Sequence, residues 1–214
     1  MAQAEIRLPD ARGGVPQPDA TPTVPAPDIA DPGPLGLAGF AMTTFCLSVF
    51  NAGLLDARLE AVVLPLALFY GGIAQMLAGM WEFKKANTFG ALAFTSYGAF
   101  WLALATYIRF VAPGLPPTSR HLATGLFLLA WTIFTAYMFI GSLRISGALI
   151  AVFAVLLLTF IALTWGAFAQ ATGLTRLGGW LGILTALLAW YTSAAGVINP
   201  TWGRKLLPTM PVKR

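Results

Sequence analysis

Four residues on one stretch of chain have the types and spacing to handle a small polar solute. Phe40, Thr44, Ser48 and Asn51 follow one another at i, i+4, i+8 and i+11. In a helix that spacing puts all four on one face. A second stretch carries Gly71, Gln75, Ala78 and Glu82 on another face, small except for its two polar groups. Thr95, Ser96 and Tyr97 cluster on a third stretch, and Thr132, Thr135 and Ser142 on a fourth. Uncharged hydroxyls and amides can replace an anion's water shell in apolar surroundings, where a bare carboxylate is very costly. The same residue types also bond membrane helices to one another. Both readings stand for the Thr and Ser residues. Packing is the commoner role of a single Thr or Ser, while for Asn51 and Gln75 the two readings are even, because a buried amide is harder to satisfy by packing alone.

Other chemistry is excluded by what the chain lacks. One cysteine, Cys46, cannot form an internal disulfide, and one histidine, His121, cannot supply a histidine metal cluster. There is no zinc motif, no phosphate-binding glycine loop and no Ser/His/Asp grouping. No metal and no other cofactor is expected, and the absence of a nucleophile–base pair argues against an enzyme. No Asp, Glu, Lys or Arg lies in the middle of an apolar stretch, and Glu82 comes closest. Ion-coupled carriers and pumps keep ionisable groups at that depth, so a fixed carboxylate relay is not expected. Passage of an anion stays open.

The elements that must position these residues follow from composition. Hydrophobic residues make up 57% of the 214, charged residues only 10%, and mean hydropathy is +0.75. A soluble domain carries about a quarter charged residues, so this chain could not cover a water-facing surface. The reading is an all-α, polytopic membrane protein in contact with the lipid bilayer. The net charge of +5 reflects Lys and Arg gathered at span ends and loops, and no nucleic acid partner is expected. Six stretches are long enough to cross, about 35–55, 60–81, 89–111, 121–142, 146–170 and 177–198. A membrane β-barrel would alternate polar and apolar residues, whereas these runs are continuous.

Three regions result: a Pro-rich tail over 1–33, read as disordered and cytoplasmic; a six-helix membrane domain over 34–200; and a basic cytoplasmic segment over 201–214. Pro65 is expected to kink the second span. Trp81, Trp101, Trp180 and Trp202 suit an interfacial belt. With the N-terminus in the cytoplasm, the inside holds 9 Lys and Arg residues against 4 outside. Both termini are therefore placed inside, in the cytoplasmic (inner) cell membrane.

Three segments carry a family resemblance. They are DPGPLGLAGFAMTTF from Asp31 to Phe45, followed by Asn51; FYGGIAQMLAGMWEFKKANTFGALAFTSYGAFW from Phe69 to Trp101; and WGRKLLP from Trp202 to Pro208. Together they resemble the acetate uptake transporter family, also called succinate–acetate permeases, over roughly residues 31–208. The family signature NPAPLGL is altered at two positions, with Asp31 in place of Asn and Gly33 in place of Ala. Asp31 is a candidate for the cytoplasmic mouth, together with Glu82; its alternative role is to cap the first helix.

The resemblance implies a pore within each protomer and assembly into a ring, a hexamer in the bacterial branch. It implies transport of acetate, succinate and related small carboxylates. It also implies a constriction made by Phe40 within GLAGF, Tyr97 within FTSYG and Leu156 in the fifth span. Thr44, Ser48, Asn51, Gln75, Thr95 and Ser96 are the polar residues expected along the path. Two mechanisms remain: an anion channel, and uptake coupled to a proton. A membrane sensor or assembly protein that does not transport is the rival from another class.

Overall fold

A computed structural model describes residues 29–212, which are helical apart from connecting turns and one isolated antiparallel bridge between Ser146 and Pro211. Most of the Pro-rich tail, residues 1–28, lies outside the described residues, as do Lys213 and Arg214.

Each apolar run becomes one membrane-length rod. Helix α1 is Gly33–Asn51. The second span is composite: a 3-10 turn Ala57–Val62, α2 Val63–Leu68, a π turn Phe69–Ala74 and α3 Gln75–Lys84. Helix α4 is Thr88–Thr106 and continues through tighter and wider turns to Gly114. Helices α5, α6 and α7 are Arg120–Ser142, Gly147–Phe168 and Thr172–Thr201. The six spans hold 19 to 30 residues. At about 1.5 Å per residue even the shortest matches a hydrocarbon layer of roughly 30 Å.

The polar breaks work as helix starts. Asn87 accepts a hydrogen bond from the Gly90 amide at 3.2 Å and so caps α4. Ser146 accepts from the Leu149 amide at 3.3 Å and caps α6. Around Pro65 the second span leaves α geometry twice, tightening before it and widening after it. Proline lacks the amide donor and crowds the preceding turn, which fits the 3-10 winding just before it.

Two boundaries differ from the sequence reading. The first span ends at Asn51 because Gly53 takes a left-handed φ of 75°, which stops the helix. The sixth begins at Thr172, so Thr175 and Arg176 lie inside α7 and the break falls at 169–171. Polar residues near a membrane surface do not end a helix when water is within reach.

The spans pack around two internal cavities. Helix α1 lies against α7, α7 against α6 and α6 against α5, while α3 pairs with α4 and α1 also rests on α3 and the π turn. Glycine closes the α1–α7 contact: a Cβ on Gly182 would run into the Ser48 side chain. The α4–α5 seam is filled by rings instead. Tyr107 stacks on Phe127 at 5.7 Å, Phe100 meets Trp131 at 5.1 Å, and Tyr97 meets Phe134 at 5.2 Å. Leu126, Ile133 and Ile140, seven residues apart, form an exposed apolar face on α5. That face suits lipid.

Candidate functional site

Two cavities enter the helix ring from opposite ends. The wider, about 670 Å³, opens where α1 ends and α5 begins. Thr44, Ser48 and Asn51 of α1 line it, with Thr159 of α6 and Thr124 of α5. Glu60, Arg120, His121 and Gln170 stand towards its mouth, and Gln170 and His121 share a 2.7 Å hydrogen bond. The narrower, about 200 Å³, opens where α1 begins and α3 ends. Gln75, Glu82 and Tyr97 line it, with Asp31, Lys85 and Asn87 at its rim. Lys85 Nζ pairs with Asp31 Oδ1 at 2.8 Å across that rim. Asp31 also accepts from the Gly33 amide at 3.0 Å, so it steadies the first turn of α1 as well.

Phe40 and Leu156 are the two residues common to both cavity walls. Both are nearly fully buried. The Tyr97 ring lies 5.5 Å from Phe40 and faces the narrower side. Its hydroxyl shares a 2.8 Å hydrogen bond with Thr135 Oγ1, which holds the phenol in place. Thr135 thereby occupies one of the hydrogen-bonding positions of the phenol.

Several polar atoms on these walls lack a partner among the described residues. Gln75 Oε1 is one, on a side chain only 1% exposed that faces the narrower cavity. Thr44 Oγ1, Trp101 Nε1 and Arg120 Nε are others, all on residues lining the wider cavity. A buried polar group without a partner costs roughly 1–3 kcal/mol, so such groups belong where water or a solute can reach them.

Of the eleven residues singled out from the sequence, nine line one cavity or the other, and Thr95 and Ser96 line neither. Thr95 sits at the α3–α4 contact, where Gly79 leaves room for it, which is the helix-packing alternative. Thr132 likewise bonds Thr164 between α5 and α6 at 2.9 Å. Trp101 is 2% exposed and lies inside the ring, not in an interfacial belt. Arg120, His121, Gln170 and Glu60 were missed as a group. They come from three separate breaks, and no spacing in the sequence links them.

Fold and cavities define a six-span helical membrane protein with two cavities that meet at Phe40 and Leu156. The family model for the GPR1/FUN34/yaaH family matches residues 12–213. A succinate-acetate/proton symporter, SatP, from Escherichia coli K12 is 40% identical over 180 residues, 84% of this chain and 95% of that protein. Acetate permease A from Emericella nidulans is 37% identical over 194 residues, 84% of this chain and 65% of that protein. The solved structure of the bacterial acetate channel SatP superposes with a TM-score of 0.80 at 40% identity, covering 85% of this chain and 99% of that one. The chain belongs to the GPR1/FUN34/yaaH family, and the resemblance drawn from its three sequence segments is borne out.

Proposed function

We propose that this protein moves acetate and related short carboxylates, succinate among them, across the cytoplasmic membrane through a channel in each protomer. One observation carries the reading: two cavities with unpartnered polar atoms end on the same apolar pair, Phe40 and Leu156. A short acid has one apolar end and one polar end. The collar of Phe40, Leu156 and Tyr97 accepts the first, and Thr44, Ser48, Asn51 and Gln75 accept the second. Hydrated inorganic ions meet a dewetted barrier. The names of the relatives agree, since they include a succinate-acetate/proton symporter, an acetate permease and an acetate channel.

Both termini face the cytoplasm in this reading, supported by the 9-to-4 bias of Lys and Arg. The narrower cavity then opens to the cytoplasm and the wider to the outside. Protomers assemble into a hexameric ring, each with its own path. A second reading has the acid cross with a proton, favoured by the buried carboxyl of Glu82 on the narrower cavity. Purified protein in liposomes tests transport directly. Labelled acetate should enter faster than into protein-free vesicles, and equal rates would defeat the proposal in either form.

A further inference from the structure

At the mouth of the wider cavity stands a charge that no described residue takes up. Arg120 is the one Lys or Arg among the described residues lining that cavity. Its side chain is half-buried. Nη2 donates to the Leu115 carbonyl at 3.3 Å, while Nε is buried without a partner among the described residues. Glu60 lines the same cavity but makes no ion pair with it. The ion pairs among the described residues join Arg58 to Asp56 and Lys85 to Asp31. The cation at the rim of the narrower cavity is thus paired, and the cation of the wider one is not.

A guanidinium keeps its charge and only donates, through N–H groups in a planar fork that matches a carboxylate. Arg120 also opens α5, and Ser119 before it gives no side-chain cap, so the positive end of that helix lies at the same mouth. Asn51 closes α1 at this mouth, and Ser48 and Thr44 stand three and seven residues further in, about 5 and 10 Å along the helix. Much of the remaining wall is apolar, with Leu47, Leu104 and Ile108. A monoacid has one carboxylate to give, either to Arg120 or to the polar face of α1. A four-carbon diacid has end carbons about 4 Å apart, at roughly 1.5 Å per bond, and its oxygens reach further. Such a solute can engage both at once and lay its methylenes on the apolar wall.

We infer that Arg120 is a specificity-determining residue at the wider mouth, where it anchors the second carboxylate of a short dicarboxylate and so favours diacids over monoacids. This rests on the transport reading above and names the residue that ranks its substrates. The first carboxylate goes to Asn51 and Ser48. His121, next to Arg120 and held by Gln170 at 2.7 Å, adds a further polar group at the mouth.

The test uses the full chain in liposomes with labelled acetate and labelled succinate, at a pH of about 7.5, well above the usual carboxylate range. Uptake into protein-free vesicles is subtracted. R120Q should raise the KM for succinate by about tenfold or more, as expected for lost hydrogen bonds to a charged group, and the KM for acetate by a much smaller factor. R120K keeps the charge without the planar fork and should fall between R120Q and wild type. A merely structural role would slow both acids alike and leave the ratio of their KM values unchanged. Equal factors for the two acids, or no change in either, overturn the assignment. If R120Q fails to insert, competition in the wild type decides. Succinate should then displace labelled acetate at severalfold lower concentration than butyrate, a monoacid of the same chain length. Butyrate competing as well or better overturns the assignment, as does a wild type that carries acetate and ignores succinate. Absence of any acetate uptake by inserted wild type would defeat the transport reading itself, a distinct outcome.

Discussion

At the scale of single residues, two apolar side chains stand where the two cavities meet. Phe40 and Leu156 separate the two cavities, so shortening either should join them. Phe40→Ala is expected to raise uptake of bulkier acids relative to acetate by roughly tenfold or more, since the fit of a methylene group is worth about 1–3 kcal/mol. Competition between labelled acetate and a longer acid measures this, and an unchanged ratio would move the barrier elsewhere. Asn51 lines the wider cavity and Gln75 the narrower. Replacing either with Leu removes one hydrogen-bonding group, worth about 0.5–1.5 kcal/mol, and should slow acetate uptake by roughly 2- to 10-fold. Wild-type rates in both would assign the amides to packing. The one-face pattern of Phe40, Thr44, Ser48 and Asn51 was legible in the sequence because helical spacing alone puts them together. The partner of Tyr97 was not, since Thr135 is 38 residues away on another span.

At the scale of elements, the sequence showed where helices run but not how they turn. These spans are apolar nearly all round, because lipid and protein interior both select apolar side chains. Hydropathy therefore marks a span and leaves its inward face unmarked. That is why Trp101 looked interfacial and Thr95 looked like part of the path. The C-terminal segment is a second case. Its basic residues suggested only a charged tail, yet it folds back across the bundle. Asn199 Oδ1 accepts from the Leu206 and Leu207 amides at 2.8 and 2.9 Å, and its Nδ2 donates to the Leu207 carbonyl. The Met210 and Thr209 carbonyls then accept from the Gly147 and Ala148 amides at the start of α6, which have no partner within that helix. Asn199→Ala should free this strap. Hydrogen exchange at Leu206 and Leu207 should accelerate by about tenfold or more, given roughly 1 kcal/mol or more per lost bond. Unchanged protection would mean that the α6 contacts hold the segment alone.

For the whole molecule, composition alone excluded a soluble fold, and six apolar runs gave the number of spans. The cavities could not be read this way, because they lie between helices distant in sequence and are defined by what is missing from the packing. The two cavities lie between the glycine-rich α1–α7 contact and the ring-filled α4–α5 seam. Transport should depend on that bundle and not on the Pro-rich tail. Deleting residues 1–30 should leave the acetate uptake rate within about twofold of wild type, the range expected of a segment with few groups to bury, and its loss would give the tail a role in the membrane domain. The most direct test of the central claim is labelled acetate uptake by the purified protein in liposomes, with Phe40→Ala measured beside the wild type. The account predicts protein-dependent entry in the wild type and relaxed selectivity in the variant. Entry no faster than into empty vesicles, with the protein shown to be folded and inserted, would contradict it.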